Sequence, residues 1–248
     1  RRKCSDESEN ANWIKSNTKI CPKCKVRIEK NHGCNHMTCV KCTYEFCWIC
    51  AGNWLTHSSC NRFNADASFE VSKDEVQMAK RDLERYMHYF NRYDGHDRSG
   101  RFAFKQREKA EARIDSAVRQ NITDQTVLEM KYLSDAVDQL IECRRVLKYT
   151  YAVAYFLPPG PERALFEYSQ AELEDLTERL SELTEQGIHK QDRGHVIGVT
   201  TTLSRALSTL IEASNEVCEH AEAGAKDHFR SRAAALSAEA GATGAEAA

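Results

Sequence analysis

The chain has 248 residues, 29% of them charged, with 35 basic against 37 acidic side chains and a formal net charge of −2. That balance excludes a global attraction to nucleic acid or to an anionic membrane, and the length allows one or two domains. No apolar run reaches the roughly 18 residues of a bilayer-spanning helix, and the opening RRKCSDESEN has no apolar signal core, so a cytoplasmic or also nuclear location is expected.

Residues 1–17 read as a polar linker helix around ENANWIKSN, opening abruptly as if in mid-sequence. Residues 18–62 are a different kind of chain. Eight of the eleven cysteines lie between Cys21 and Cys60, while Cys4, Cys143 and Cys218 stand alone. Paired CxxC units without a secretory signal favour zinc over disulfides. The ladder Cys21, Cys24, Cys39, Cys42, Cys47, Cys50, His57, Cys60 supplies eight ligands, enough for one Cys4 and one Cys3His tetrahedron. So short a segment buries too little apolar surface to fold without its two metal ions. Spacing leaves open whether the pairs are used in sequence order or cross-braced, although the link from Cys42 to Cys47 is short for a cross-brace.

Cys34 is left over, in KNHGCNHMTC. It is either a spare buried thiol or a nucleophile. Gly33 frees the backbone just before it, and His36 stands two residues on, where an imidazole could serve as base.

Residues 70–220 are helical by periodicity. Val76, Ala79, Leu83, Tyr86, Phe90 and Tyr93 form one stripe; Met130, Leu133, Val137, Leu140, Leu147, Tyr151 and Ala154 a second, interrupted by Arg144. Leu173, Leu176, Leu180 and Leu183 make a third, and Val196, Val199, Leu203, Ala206, Leu210, Ala213 and Val217 a fourth; Ala110, Ile114 and Ala117 form a weaker one. Turn chemistry at YDGHDRSG (93–100), NITDQ (121–125), LPPGPE (157–162) and QGIHKQDRG (186–194) predicts about five helices in an elongated antiparallel bundle. A coiled-coil dimer is disfavoured by the Pro/Gly breaks. The alanine-rich residues 221–248 lack apolar anchors and are expected to be disordered.

The string TKICPKCKVRIEKNHGCNHMTCVKCTYEFCWICAGNW closely resembles the catalytic RING-like domain of RBR (RING-between-RING) ubiquitin ligases, and LERYMHYFNRYDGH with VLKYTYAVAYF resembles their Ariadne branch. The resemblance implies a mainly α protein: a two-zinc, zinc-ribbon-like catalytic domain followed by an Ariadne helical domain. It implies zincs paired in sequence order, Cys34 as the nucleophile that accepts ubiquitin from a conjugating enzyme as a thioester, His36 as general base towards the acceptor lysine, and Glu29 as the acid that orients it. It implies that the helical domain inhibits Cys34 through Phe102, Glu174 and Glu185, and that a NEDD8-modified cullin–RING ligase is the partner that relieves this. Ala103 stands where an acidic residue often follows the matched phenylalanine, His32 where glycine is common, and the His57–Cys60 spacing is short. By the same resemblance, the first RING and the in-between domain of such ligases are expected to be missing from this sequence. The rival from another class is a zinc-dependent interaction scaffold with an inert Cys34.

Overall fold

The computed structural model describes residues 12–14, 17–30, 33–63, 75–119, 124–185 and 192–245; of the side chains at 113–114, 117–118, 124–130 and 220–245 nothing is described. Residues 12–14 are helical, and the rest of the expected linker helix before residue 12 lies outside the described residues, as does His32.

Two small hairpins carry the cysteine ladder. β1 (Thr18–Ile20) pairs antiparallel with β2 (Arg27–Glu29), in the register Lys19 to Ile28. β3 (His36–Thr38) pairs likewise with β4 (Glu45–Cys47), His36 opposite Cys47, and a short 3-10 helix follows at Trp54–Thr56. One turn repeats three times. Lys25, Thr43 and Ala51, each the residue after a CxxC, have φ of 62°, 56° and 61°. Their N–H groups donate to the carbonyls of Cys21, Cys39 and Cys47 at 3.1, 2.7 and 2.9 Å. A left-handed backbone costs a side-chain-bearing residue about 1–2 kcal/mol, so only a strongly constrained turn retains it. Each such turn aims two sulfurs at one point.

Four long helices follow: α1 (Glu75–Arg119), α2 (Asp124–Phe156), α3 (Pro161–Glu185) and α4 (Arg193–Ala245). Pro158, Pro159 and Gly160 end α2, and Pro161 opens α3 at a position where its missing N–H costs nothing. Asp192 caps α4, its Oδ1 accepting from Gly194 N at 2.9 Å. The other two expected breaks fall mostly at 120–123 and 186–191, outside the described residues. α1 packs on α2, and α3 on both α2 and α4. Their shared core is the predicted one on α2, α3 and α4: Leu140, Leu147, Tyr151, Leu173, Leu180, Val196, Leu203 and Leu210 are buried.

Two expectations about this region need correction. YDGHDRSG is not a turn but mid-helix, so among the described residues four long helices stand where about five were expected, and the Ala110–Ala117 segment is the end of α1. Gly95 is there for close approach: a Cβ on it would lie 2.9 Å from Ile49 Cδ1 of the metal-ligand domain. The apolar stripe of α1 is not its buried face either. Val76, Leu83, Tyr86 and Phe90 are exposed, while Tyr89, Arg92, His96, Ser99 and Ala103 are buried. A polar face is buried because it meets polar partners. α4 is described to Ala245, in keeping with alanine's strong helix propensity; residues 246–248 are not described.

Candidate functional site

The ladder gathers into two sets in sequence order: Cys21, Cys24, Cys39 and Cys42, then Cys47, Cys50, His57 and Cys60. Within each set the ligand atoms lie within 4.8 Å of one another. In the first, the sulfurs of Cys21 and Cys42 are 3.7 Å apart and those of Cys24 and Cys39 3.6 Å. Four thiolates about 2.3 Å from a tetrahedral zinc would sit about 3.8 Å apart, so the donor set fits that ion. In the second set, His57 Nε2 is buried and has no hydrogen-bond partner among the described residues, which fits a nitrogen that a metal would hold.

Cys34 belongs to neither set. It lies in the link between the hairpins, 5% exposed, its Sγ 3.7 Å from the carbonyl oxygen of Glu178 on α3. His36 N–H donates to the same sulfur at 3.3 Å. Burial, then the nearby Glu178 carboxylate, pushes the thiol well above its ordinary range.

His36 lies at the start of β3, with its ring stacked on Trp54 at 4.5 Å, and the far side of that indole stacks towards His57 at 5.6 Å. Its Nε2 is 2.8 Å from Glu45 Oε2 across the hairpin, and its Nδ1 is 3.8 Å from Glu182 on α3. Glu29 does not reach it. That residue is exposed on β2, at the edge of a groove shared with Lys30, Trp48 and Phe102, and no side-chain hydrogen bond or ion pair is found for it among the described residues. Trp48 has Lys19 Nζ 5.2 Å above its ring.

The helical domain holds the Cys34 loop at Gly33, Cys34 and Asn35. Glu185 Oε1 accepts from both Gly33 N and Cys34 N at 3.0 Å, and Ser181 Oγ donates to the same oxygen at 3.0 Å. Glu178 accepts from Asn35 N at 2.5 Å and Asn35 Nδ2 at 2.8 Å. Arg144 Nη1 donates to Glu178 at 2.6 Å. Burial alone would raise the Glu178 carboxyl, but Arg144, with Lys30 and the Asn35 amide, outweighs it and holds it at about 2. The carbonyl of Gly33 accepts from Ser99 Oγ at 2.7 Å and Lys30 Nζ at 3.1 Å. Burial lowers the Lys30 ammonium to about 8.

Of the three residues expected to cover Cys34, two sit at its loop. A Cβ on Gly33 would meet Phe102 Cδ1 at 3.0 Å and Glu185 Oε1 at 3.1 Å. Glu174 bonds inside the bundle instead, accepting from Tyr151 Oη at 2.7 Å and lying 3.4 Å from His96 Nε2. Sequence reasoning missed Glu178, Arg144, Ser99, Lys30, Glu45 and Trp54. Two signals were available. Arg144 is the one polar break in the α2 stripe, and a charge buried on a core face demands a partner. Glu174, Glu178, Ser181 and Glu185 are spaced 4-3-4, which sets them on one face of α3.

Two family models match the chain: an IBR domain over residues 16–62 and an Ariadne domain over residues 84–160. Among curated relatives, the fission-yeast E3 ubiquitin-protein ligase dbl4 is 44% identical over 189 residues, 75% of this chain and 37% of its own length. Mouse E3 ubiquitin-protein ligase ARIH2 is 41% identical, covering 77% and 39% of the two chains. Fruit-fly E3 ubiquitin-protein ligase ariadne-1 is 40% identical, covering 77% and 38%. The chain therefore spans under two-fifths of the length of each of these relatives.

Proposed function

The chain belongs to the Ariadne family, and from that premise we propose that it carries the thiol-transfer and self-inhibiting portion of an RBR ubiquitin ligase. Ubiquitin arrives as a thioester on a conjugating enzyme. Cys34 Sγ adds to the thioester carbonyl, the enzyme's thiolate leaves, and a new ubiquitin–Cys34 thioester remains. A substrate amine then attacks that carbonyl, the isopeptide bond forms, and the Cys34 thiolate departs. His36 takes the proton from the amine, with Glu45 across the hairpin orienting the imidazole and stabilising its charged form. The two ligand sets hold zinc, which supplies the fold of residues 18–62 and leaves Cys34 out of coordination.

The observation that carries this reading is Cys34 itself. It is the cysteine left over from two complete ligand sets, next to a histidine–glutamate pair, under an α3 face that binds the amides of Gly33, Cys34 and Asn35. That cover makes the described arrangement a closed, self-inhibited one, with Phe102 and Glu185 at the loop and Glu174 supporting from within the bundle. A NEDD8-modified cullin–RING ligase is the partner proposed to open it.

Replacing Cys34 with alanine tests the reading against an inert zinc scaffold. The Cys34→Ala protein is expected to bind two zinc ions, as the parent does, and to form no ubiquitin thioester. Loss of one zinc would make Cys34 a ligand and remove the nucleophile.

A further inference from the structure

The contact between Glu185 and the Cys34 loop has a form that simple obstruction does not require. Two successive backbone N–H groups, of Gly33 and Cys34, converge on one anionic oxygen at 3.0 Å each. Consecutive amides aimed at one point make an anion-binding nest. This nest belongs to the nucleophile's own residue. When a thiolate adds to a thioester carbonyl, the C=O π pair moves onto oxygen, and that oxyanion must be met by fixed donors at about 2.7–3.1 Å.

Resting on the ligase reading above, we propose that the Gly33 and Cys34 amides form the oxyanion hole for acyl transfer at Cys34, and that the Glu185 carboxylate closes the enzyme by occupying it. Cys34 Sγ adds to the ubiquitin carbonyl, and the oxygen takes the negative charge against the two N–H groups. The pair then returns to re-form C=O as the conjugating enzyme's thiolate leaves. The same donors meet the second intermediate, in which the amine adds and Cys34 leaves. Glu185 presents a carboxylate oxygen, similar in charge and donor demand to that oxyanion, so the inhibitor and the intermediate compete for one site. Ser181 Oγ, donating to Glu185 Oε1 at 3.0 Å, holds the carboxylate ready for that position. Glu178 treats the next amide, Asn35 N, in the same way and keeps the loop down.

Two substitutions at one position separate the amide from the cover. Gly33→Ala adds a Cβ that crowds Phe102 and Glu185, opening the loop, but keeps the N–H. Gly33→Pro adds a similar bulk and removes the N–H. In the full chain each is treated with ubiquitin carrying a C-terminal thioester to a small thiol, and separately with iodoacetamide, the product at Cys34 being read by peptide mass spectrometry. Alkylation passes through no oxyanion. Both variants are expected to alkylate at similar rates, faster than the parent, while Gly33→Pro takes up ubiquitin about 10²-fold more slowly than Gly33→Ala. N-methylglycine at position 33, introduced by ligation at Cys34, removes the same N–H without the proline ring and is expected to match Gly33→Pro. Equal ubiquitin uptake with and without the N–H overturns the oxyanion hole, as does a parallel fall of alkylation and uptake in both N-substituted proteins. If Gly33→Ala alkylates readily yet takes up no ubiquitin, the ligase reading itself fails, and that outcome is distinct because it appears before the amide is removed.

Discussion

Cys34 and its neighbours set the chemistry at the residue scale. An imidazole acting as general base contributes about 10²–10⁴-fold. His36→Ala is therefore expected to form the Cys34 thioester and to discharge it to lysine at least a hundredfold more slowly, with Glu45→Gln showing a smaller loss in the same step. Single-turnover discharge assays separate the two stages, and failure of loading in His36→Ala would remove the base assignment. The thiol also predicts a pH profile. Burial and Glu178 raise the Cys34 pKa in the closed protein, with Glu185 adding to the rise and Arg144 opposing it. A released thiol ionises near its ordinary value of about 8.5. The closed arrangement thus keeps its full advantage below that pH and loses it above, because only the released sulfur can then give up its proton. Lys30 acts with opposite sign: buried at about 8, it is the released ammonium that holds an extra proton up to about 10.4, so closure gains as pH rises through that window. Alkylation of Cys34 in the parent is expected to stay nearly flat from about pH 7 to 9, while Gly33→Ala rises through a midpoint near 8.5. A parent profile that rises like the variant's would show that the thiol is not held buried.

At the scale of elements, α1 is where periodicity misled. Its apolar positions repeat correctly for a helix, yet its buried side is Tyr89, Arg92, His96, Ser99 and Ala103. Arg92 donates to the Cys60 carbonyl, and Ser99 to that of Gly33. These residues satisfy backbone groups of the metal-ligand domain that would otherwise be buried unpaired. A hydrophobicity pattern has no means of registering such a face. The helices α2, α3 and α4 bury leucines and valines against one another, so their stripes were legible. Gly95 marks the same interface. Gly95→Val should force Ile49 away from α1 at a cost of about 1–3 kcal/mol, accelerating Cys34 alkylation while two zinc ions remain bound. Unchanged alkylation would mean that α1 does not hold the loop down.

Across the whole molecule, the two parts are joined by polar contacts. Asn61 donates to the Glu167 carbonyl at 2.5 Å and to Gln170 at 3.2 Å, and Arg144 and Glu178 meet at the centre of the Cys34 contact. A buried ion pair is a weak source of stability but a costly thing to break, about 3–5 kcal/mol when one partner is removed. Arg144→Ala leaves Glu178 buried and unpaired. The expected result is a lower Tm and a faster Cys34 reaction, both partly restored when Glu178→Gln removes the stranded charge. Additive losses in the double variant, measured as a thermodynamic cycle, would argue against the coupling. An interface of this kind can be separated without exposing a large apolar surface, which suits a domain that must close over a thiol and later release it.

What the sequence determined by itself is local. Three CxxC turns and an HxxC give two ligand sets because thiolate spacing and tetrahedral geometry act within a few residues, and the count leaves Cys34 over. The stripes of α2, α3 and α4 follow from the helical repeat, and the proline cluster at 158–161 ends one helix and begins the next. Only the tertiary structure decided which carboxylates close on Cys34, and that Glu45 rather than Glu29 faces His36. Glu178 and Glu185 stand more than 140 residues from the loop they hold, in a segment where acidic residues are frequent. Each of them is compatible with a solvated surface until packing removes the water, and it is the desolvated face of α3, opposite Arg144 and the loop amides, that brings Glu178 and Glu185 onto the Cys34 loop.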